Sequence, residues 1–421
     1  MDQLPPFGRA ISQIILPTFK AYAPLLSRNS ETIKSTRRET FPYGPHPRQH
    51  LDVYTPSRSS LSSPAPSPSL SSPSSPRNAD RKTPLPVTTN PNSVFIFLYG
   101  GGFVNGAKIL PGYPEPEPGQ DGQDQGLVYA NLGHFFAENL GIKTVVIDYR
   151  LISHGAKFPS GGQDLELAIE WIVDNLNLNS GQDGDDDEHA PPPPPLDLYI
   201  MGNSAGGVHL ATYLLAPDFA ESRRRLLSSS IRAADDSSVE TRSKAHQARL
   251  KGVIFLSVPF HFDRALPERK PTLAAYYGDD GDDDDDDDVP SKAPLGLLRA
   301  SRKSDGSIIK PLQQDVPVLV LKGSLDPEDE ILGPIADFVD EWLRQKKKET
   351  DDNERQFGQN ASTSDRSLSR NLSPSNLEVE IMPGQHNHIS PVLSLGTGIP
   401  DEEAWGRRVV EFVATTSHAR R

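Results

Sequence analysis

From residue 94 onward, short apolar runs alternate with stretches in which apolar positions recur every three or four residues. Residues 94–99, 144–149, 196–201, 252–257, 316–322 and 377–382 read as strands. Most of them are nearly continuous in apolar content, as strands covered on both faces should be. Residues 127–140, 164–176, 205–215 and 331–347 read as helices between them, with 402–413 following the last strand. Within the fourth, Ile335, Phe338, Val339, Trp342 and Leu343 form one helical stripe. The alternation predicts an α/β fold, a mostly parallel central sheet with helices on both faces. Residues 50–54 alternate apolar and polar like a strand that belongs to an antiparallel edge. Near the start, Phe7, Ile11, Ile14, Ile15, Phe19, Tyr22 and Leu26 recur at helical spacing, which predicts a helix within residues 1–30 packed on the main domain. Pro17 interrupts its apolar run.

Composition changes this picture in one respect. Residues 55–93, 181–195, 219–248, 279–293 and 345–375 are Ser-, Pro- or Asp-rich and are expected to be insertions that bury no core. They leave about 290 of the 421 residues for folded structure, which matches one domain over 31–415 better than two small ones. The formal net charge of −14 disappears on inspection. Asp183, Asp185, Asp186, Asp187, Glu188, Asp279, Asp280 and the run 282–288 carry fourteen negative charges inside those insertions, so the folded part is close to neutral. No basic stripe marks a nucleic-acid partner. The absence of cysteine excludes disulfides, thiolate chemistry and cysteine zinc sites, and fits a reducing compartment. No run reaches the ~18–20 apolar residues of a membrane span, and no small-residue cleavage site follows the N-terminal apolar run, so the expectation is a cytoplasmic protein without a transmembrane segment. The prolines at 191–195 would form a stiff linker, with an SH3 or WW ligand as the alternative.

The strongest chemical signal is Gly202-Asn203-Ser204-Ala205-Gly206, a G-x-S-x-G between a predicted strand and a predicted helix. A strand that turns sharply into a helix exposes the Ser204 hydroxyl at the sheet's C-terminal edge and offers the Ala205 N–H at a helix N-terminus. The glycines let neighbouring backbone pass. A second signal, Tyr99-Gly100-Gly101-Gly102-Phe103, follows the strand at 94–98. Its backbone N–H groups, those of Gly101 and Gly102 above all, can approach a ligand closely and form an oxyanion hole with Ala205. A phosphate loop is the rival reading, but the Walker lysine and the G-x-G-x-x-G pattern are both missing.

With these motifs the chain resembles the hormone-sensitive-lipase-like and carboxylesterase–kynurenine formamidase branches of the α/β-hydrolase superfamily. Tyr99-Gly100-Gly101-Gly102 is similar to their H-G-G-G loop. Asp148-Tyr149-Arg150-Leu151, then Phe158-Pro159 and Asp164, are similar to a stretch they carry between loop and elbow, and Leu51-Asp52-Val53-Tyr54 to their first strands. The likeness spans roughly residues 50–415 between the insertions. One departure is plain: Tyr99 stands where the family usually has His, with loop packing and acyl selectivity as its expected consequences. The resemblance implies a triad in the order Ser, acid, His. Asp326, in Gly323-Ser324-Leu325-Asp326-Pro327 after the strand at 316–322, is the implied acid, with Glu328, Asp329 and Glu330 as alternatives. In Gly384-Gln385-His386-Asn387-His388-Ile389 the frame implies His388 as base, with His386 as the alternative. His209, on the helix after Ser204, is expected to pack rather than react.

The function expected from this set is a serine hydrolase that cleaves a small or medium carboxylic ester through an acyl-enzyme on Ser204. The alternatives are an aryl formamidase acting on a formylkynurenine-type amide and a non-catalytic scaffold of the same fold. No cofactor or metal is expected, because the histidines do not converge in sequence on a ligand set. In residues 258–262 and at Tyr276-Tyr277 the aromatic content fits a substrate pocket and plain core equally well. The N-terminal helix has two alternatives to simple packing, a cap over the active site or contact with a membrane surface.

Overall fold

The computed structural model describes residues 3–57, 90–110, 126–177, 195–227, 248–278, 288–301, 309–358 and 376–418. Strands β1 (Arg37–Pro42), β2 (His50–Thr55), β3 (Ser93–Leu98), β4 (Lys143–Ile147), β5 (Leu196–Asn203), β6 (Ala248–Leu256), β7 (Val318–Lys322) and β8 (Leu377–Ile381) form one sheet in the order β1-β2-β4-β3-β5-β6-β7-β8. The pairs β1/β2 and β2/β4 are antiparallel and every other pair is parallel. This strand order, with G-x-S-x-G at the end of β5, is the α/β-hydrolase fold.

The pleat of β3 explains why its sequence is apolar throughout. Val94, Ile96 and Leu98 face one core with α4 (Ser160–Leu176) and α5 (Ala205–Leu215). Phe95, Phe97 and Tyr99 face the other, with α3 (Ala130–Leu140), α1 (Ile11–Arg28) and the C-terminal helix Ala404–His418. The edge strands differ: β1 is exposed or half-buried along its length, and most of β8 is too.

Several boundaries depart from the sequence expectation. The strand expected at 50–54 belongs to the antiparallel edge of the sheet, and β1, which was not expected, pairs outside it. Helix α1 runs through Pro17 and also Pro24. Its buried stripe of Ile14, Thr18, Tyr22 and Leu26 offsets the ~3 kcal/mol a proline costs inside a helix. Parts of three expected insertions are helical. Helix α6 (Ala220–Leu227) occupies the start of 219–248, and the guanidinium of Arg223 holds it to the carbonyl oxygens of Tyr213 (2.9 Å) and Ala216 (3.1 Å). The short helix Asp288–Lys292 lies in 279–293, and the helix Gly333–Gly358 extends into 345–375. Residues 58–89, 181–194, 228–247, 279–287 and 359–375 of the expected insertions lie outside the described residues, as do the prolines at 191–194. Among the described residues no helix is long and apolar enough to cross a membrane.

Candidate active site

The turn from β5 into α5 places Ser204 at φ +49°, ψ −121°, a conformation L-residues rarely adopt and one that costs on the order of 1–3 kcal/mol. The turn is held by hydrogen bonds to the Leu256 carbonyl from Ser204 N (3.0 Å) and Asn203 Nδ2 (3.1 Å). Gly206 is required by close approach: a Cβ there would run into the carbonyl oxygens of Leu98 and Tyr99.

Ser204 Oγ lies 2.9 Å from His388 Nε2, and His388 Nδ1 lies 3.1 Å from Asp326 Oδ1. The Asp326 carboxylate is fully buried and the His388 ring nearly so. The other carboxylate oxygen accepts hydrogen bonds from the Gly323 N–H and the Ser257 hydroxyl, both at 2.6 Å. Three sequence-predicted residues from the ends of β5, β7 and β8 therefore meet in one hydrogen-bonded line. With Nδ1 turned to the carboxylate, that nitrogen carries the proton in the neutral ring and Nε2 is left as an acceptor for the serine hydroxyl.

His386 lies apart from this line. It is fully buried, bonds the Ser390 hydroxyl through Nδ1 at 3.0 Å, and has a pKa lowered to about 4, chiefly by burial and only partly countered by Glu402 and Asp326. Glu330 lines the cavity, while Glu328 and Asp329 form no hydrogen bond or ion pair with either histidine among the described residues. His209 packs, with its pKa lowered to about 3 by burial; Nδ1 lies 3.2 Å from the Tyr276 hydroxyl.

The glycine loop abuts the serine. A Cβ on Gly100 would come within 2.9 Å of Ser204 Cβ. Gly101 sits at φ +142°, and a Cβ there would fall on the Asn105 carbonyl. Among the described residues neither the Gly101 nor the Gly102 N–H is spent on a hydrogen bond within the protein. Ala205 is the first residue of α5, where an N–H has no intrahelical partner. Tyr99 points away from the serine. Its hydroxyl bonds Asp148 Oδ1 (2.7 Å), accepts from Arg48 (2.7 Å), and its ring stacks between Tyr129 and Tyr149. Arg48 also reaches the Gly106 carbonyl at the loop's far end, so Tyr99 and Arg48 brace the loop. The stretch from Asp148 to Asp164 is likewise a brace: buried Asp164 takes the Arg150 N–H (2.7 Å), Arg150 Nε (2.8 Å) and Gln49 Nε2 (2.7 Å).

A cavity of about 520 Å³ opens over Ser204. Gly100–Gly102, His388, Phe262, Arg269 and, from α1, Ile11, Ile15 and Phe19 line it. The N-terminal helix thus packs on the domain through one face and walls the cavity with the next. The aromatic segment divides. Pro259, His261 and Phe262 line the cavity, whereas Phe260 stacks on Phe338 and Tyr276 on Phe103 inside the core. Three contributors were not foreseen. Ser257 bears on Asp326, Arg9 donates to the Asp326 carbonyl at 2.8 Å, and Arg269 sits at the glycine loop. Each is distant in sequence from what it touches, so no local motif marks it. Among the described residues no group of three or more His, Cys, Asp or Glu could hold a metal.

No family model matches the chain. Acetylcholinesterase of Electrophorus electricus is 26% identical over 145 residues, 32% of this chain; the match spans 18% of that enzyme's length. Similar solved structures include an esterase of the bacterial hormone-sensitive lipase family (12% identity, 95% of this chain and 98% of that one, TM-score 0.45). Another is the thermophilic esterase Est2 of Thermogutta terrifontis with butyrate bound (13%, 92% and 97%, TM-score 0.47). A third is esterase B of Lactobacillus rhamnosis inhibited by a tributyrin phosphonate (14%, 97% and 96%, TM-score 0.46).

Proposed function

We propose that this chain, an α/β-hydrolase by its strand order and the place of its elbow, is a serine hydrolase that cleaves small or medium carboxylic esters through an acyl-enzyme on Ser204. The observation that carries the reading is the line Ser204 Oγ–His388–Asp326, at 2.9 and 3.1 Å, under a cavity whose size suits a small ligand. His388 Nε2 takes the serine proton as Oγ attacks the carbonyl carbon. Asp326 holds the ring in its tautomer and stabilises the imidazolium without becoming protonated itself. The N–H groups of Gly101, Gly102 and Ala205 bind the oxyanion, each donor worth about 3–4 kcal/mol in the transition state. His388 then protonates the departing alkoxide, and water, deprotonated by the same ring, releases the acid and restores Ser204. The partial likeness to an acetylcholinesterase supports an ester rather than an amide. The mostly apolar lining, with Ile11, Ile15, Phe19 and Phe262, supports a substrate with a hydrocarbon part.

A fluorophosphonate probe tests this directly. The expected result is one covalent adduct at Ser204, mapped by mass spectrometry, absent in Ser204→Ala, with that variant folded and inert toward short-chain esters. A folded wild-type protein that takes no label would exclude an activated serine and leave a scaffold as the better reading.

A further inference from the structure

Arg269 closes the turn Pro267–Arg269 and leads into the helix Lys270–Tyr277. Its guanidinium rests on the glycine loop: a Cβ on Gly102 would be 3.0 Å from Nη1 and 3.5 Å from Nη2. At the other end of the glycine run 100–102, Gly100 abuts Ser204. The cation and the serine are therefore linked through three residues, whose Cα atoms span at most about 7 Å. Both line the one cavity over the serine. Arg269 is half-buried, and its side chain has no hydrogen bond or ion pair among the described residues. The three other titratable groups there besides His388 do not neutralise it: Tyr129 is buried, which raises its pKa and keeps it uncharged. His261 is held by Asp337 (3.0 Å) and Asp263 (3.5 Å), and Glu330 forms no ion pair with the guanidinium. The rest of the lining is largely apolar and includes Ile15, Phe19, Val104 and Ile331.

A half-buried cation in a largely apolar cavity is a place for an anion, and a planar fork of donors matches a carboxylate. Resting on the serine-esterase reading, we propose that the preferred substrate is an ester bearing a free carboxylate, which Arg269 holds while the ester carbonyl lies at Ser204. Attack by Ser204 Oγ breaks the bond from the acyl carbon to the alcohol oxygen, and the alcohol leaves with the proton from His388. Water then divides between the acyl group and the serine, and the carboxylate on Arg269 is unchanged throughout. Arg269 acts here as a specificity residue, not a catalytic one.

The test compares charged and neutral esters of matched length in the full-length protein. Monomethyl adipate carries the carboxylate on the acyl side, with methyl hexanoate as its neutral partner; 4-acetoxybutanoate carries it on the alcohol side, with butyl acetate as partner. Acid release is followed chromatographically. At least one charged ester should be preferred by kcat/KM over its partner, and which one identifies the side that carries the anion. In Arg269→Gln that preference, the charged-to-neutral ratio of kcat/KM, should fall about 10- to 100-fold, chiefly through KM of the charged ester. Arg269→Lys should restore part of it. Equal losses for charged and neutral esters, or no preference in the wild type, would overturn the assignment. Fluorophosphonate labelling of Ser204 is run on the same samples. A labelled enzyme without the preference sinks only the role of Arg269, and an unlabelled one sinks the hydrolase reading beneath it.

Discussion

Arg9 donates a 2.8 Å hydrogen bond to the backbone carbonyl of Asp326, a residue 317 positions further along the chain. The bond ties the segment preceding α1 to the loop that presents the carboxylate facing His388. The same helix carries Ile11, Ile15 and Phe19 into the cavity wall, and its far end is fastened by Tyr22, whose hydroxyl donates to Glu402 at 2.6 Å. Arg9→Ala is expected to lower kcat/KM for short esters about fivefold, the worth of one partly exposed charged hydrogen bond. Deleting residues 1–28 should cost far more, because the cavity loses a wall. Steady-state kinetics on both proteins, with circular dichroism to confirm folding, decides it. Unchanged kinetics in Arg9→Ala would mean that the contact does not hold the acid loop.

Asp326 is the test of the hydrogen-bonded line, because its two oxygens have separate tasks. Oδ1 meets His388, while Oδ2 is held by Gly323 N–H and Ser257. Asp326→Asn keeps the shape but puts the imidazole in the wrong tautomer, and kcat should fall by about 10⁴. Ser257→Ala leaves the carboxylate one donor short and should lower kcat by about tenfold. By contrast His386→Asn, which removes a ring that touches neither Ser204 nor Asp326 among the described residues, should retain activity within about threefold where it folds. A loss in His386→Asn as large as that in His388→Asn would reverse the assignment of the base.

How far these features were legible follows from where their signals lie. The buried strands β3 and β5 are written in unbroken apolar residues, and the elbow in five consecutive positions, so both could be read locally. β1 could not, since an edge strand reading Arg37-Arg38-Glu39-Thr40 has no apolar alternation to detect. The helices Lys270–Tyr277 and Pro294–Ser301 are too short for a 3.6-residue period to stand out, although Leu273, Tyr276, Leu295 and Leu298 are buried. His386 and His388 share a loop and a composition, and only the direction each ring takes from the end of β8 separates them. The bracing of Asp326 by Ser257, 69 positions away, depends on adjacent strand ends and leaves no trace in spacing.

Gly206 supplies a prediction on stability and activity together. It opens α5 against the start of the glycine loop, and a methyl group there meets the Leu98 and Tyr99 carbonyl oxygens, which belong to rigid backbone. Gly206→Ala should cost on the order of 1–3 kcal/mol by overpacking and should push the glycine loop off the serine. Activity is expected to fall by more than the folded fraction does. Urea titration gives the first quantity and labelling rate at Ser204 the second; a variant as stable and as reactive as wild type would show that the loop yields where the contacts say it cannot.

The buried histidines predict how stability depends on pH. Burial lowers His209 to about 3 and His386 to about 4, from an ordinary value of 6.5. Both rings are neutral in the folded protein at pH 5, whereas the unfolded chain protonates them below 6.5. Between pH 6.5 and 4 the unfolded state thus binds more protons, and stability falls as pH falls. Each ring accounts for on the order of 3 kcal/mol over that interval. Asp148, whose carboxyl is raised by burial, works in the opposite sense and blunts the total. The comparison that isolates one ring is wild type against His209→Gln, with urea midpoints measured at pH 6.5, 5 and 4. Glutamine keeps a polar group near the Tyr276 hydroxyl but takes no proton, so the variant should start less stable and lose about half as much on acidification. Parallel pH profiles for the two proteins would mean that His209 is already protonated, or hydrated, in the native state at pH 5.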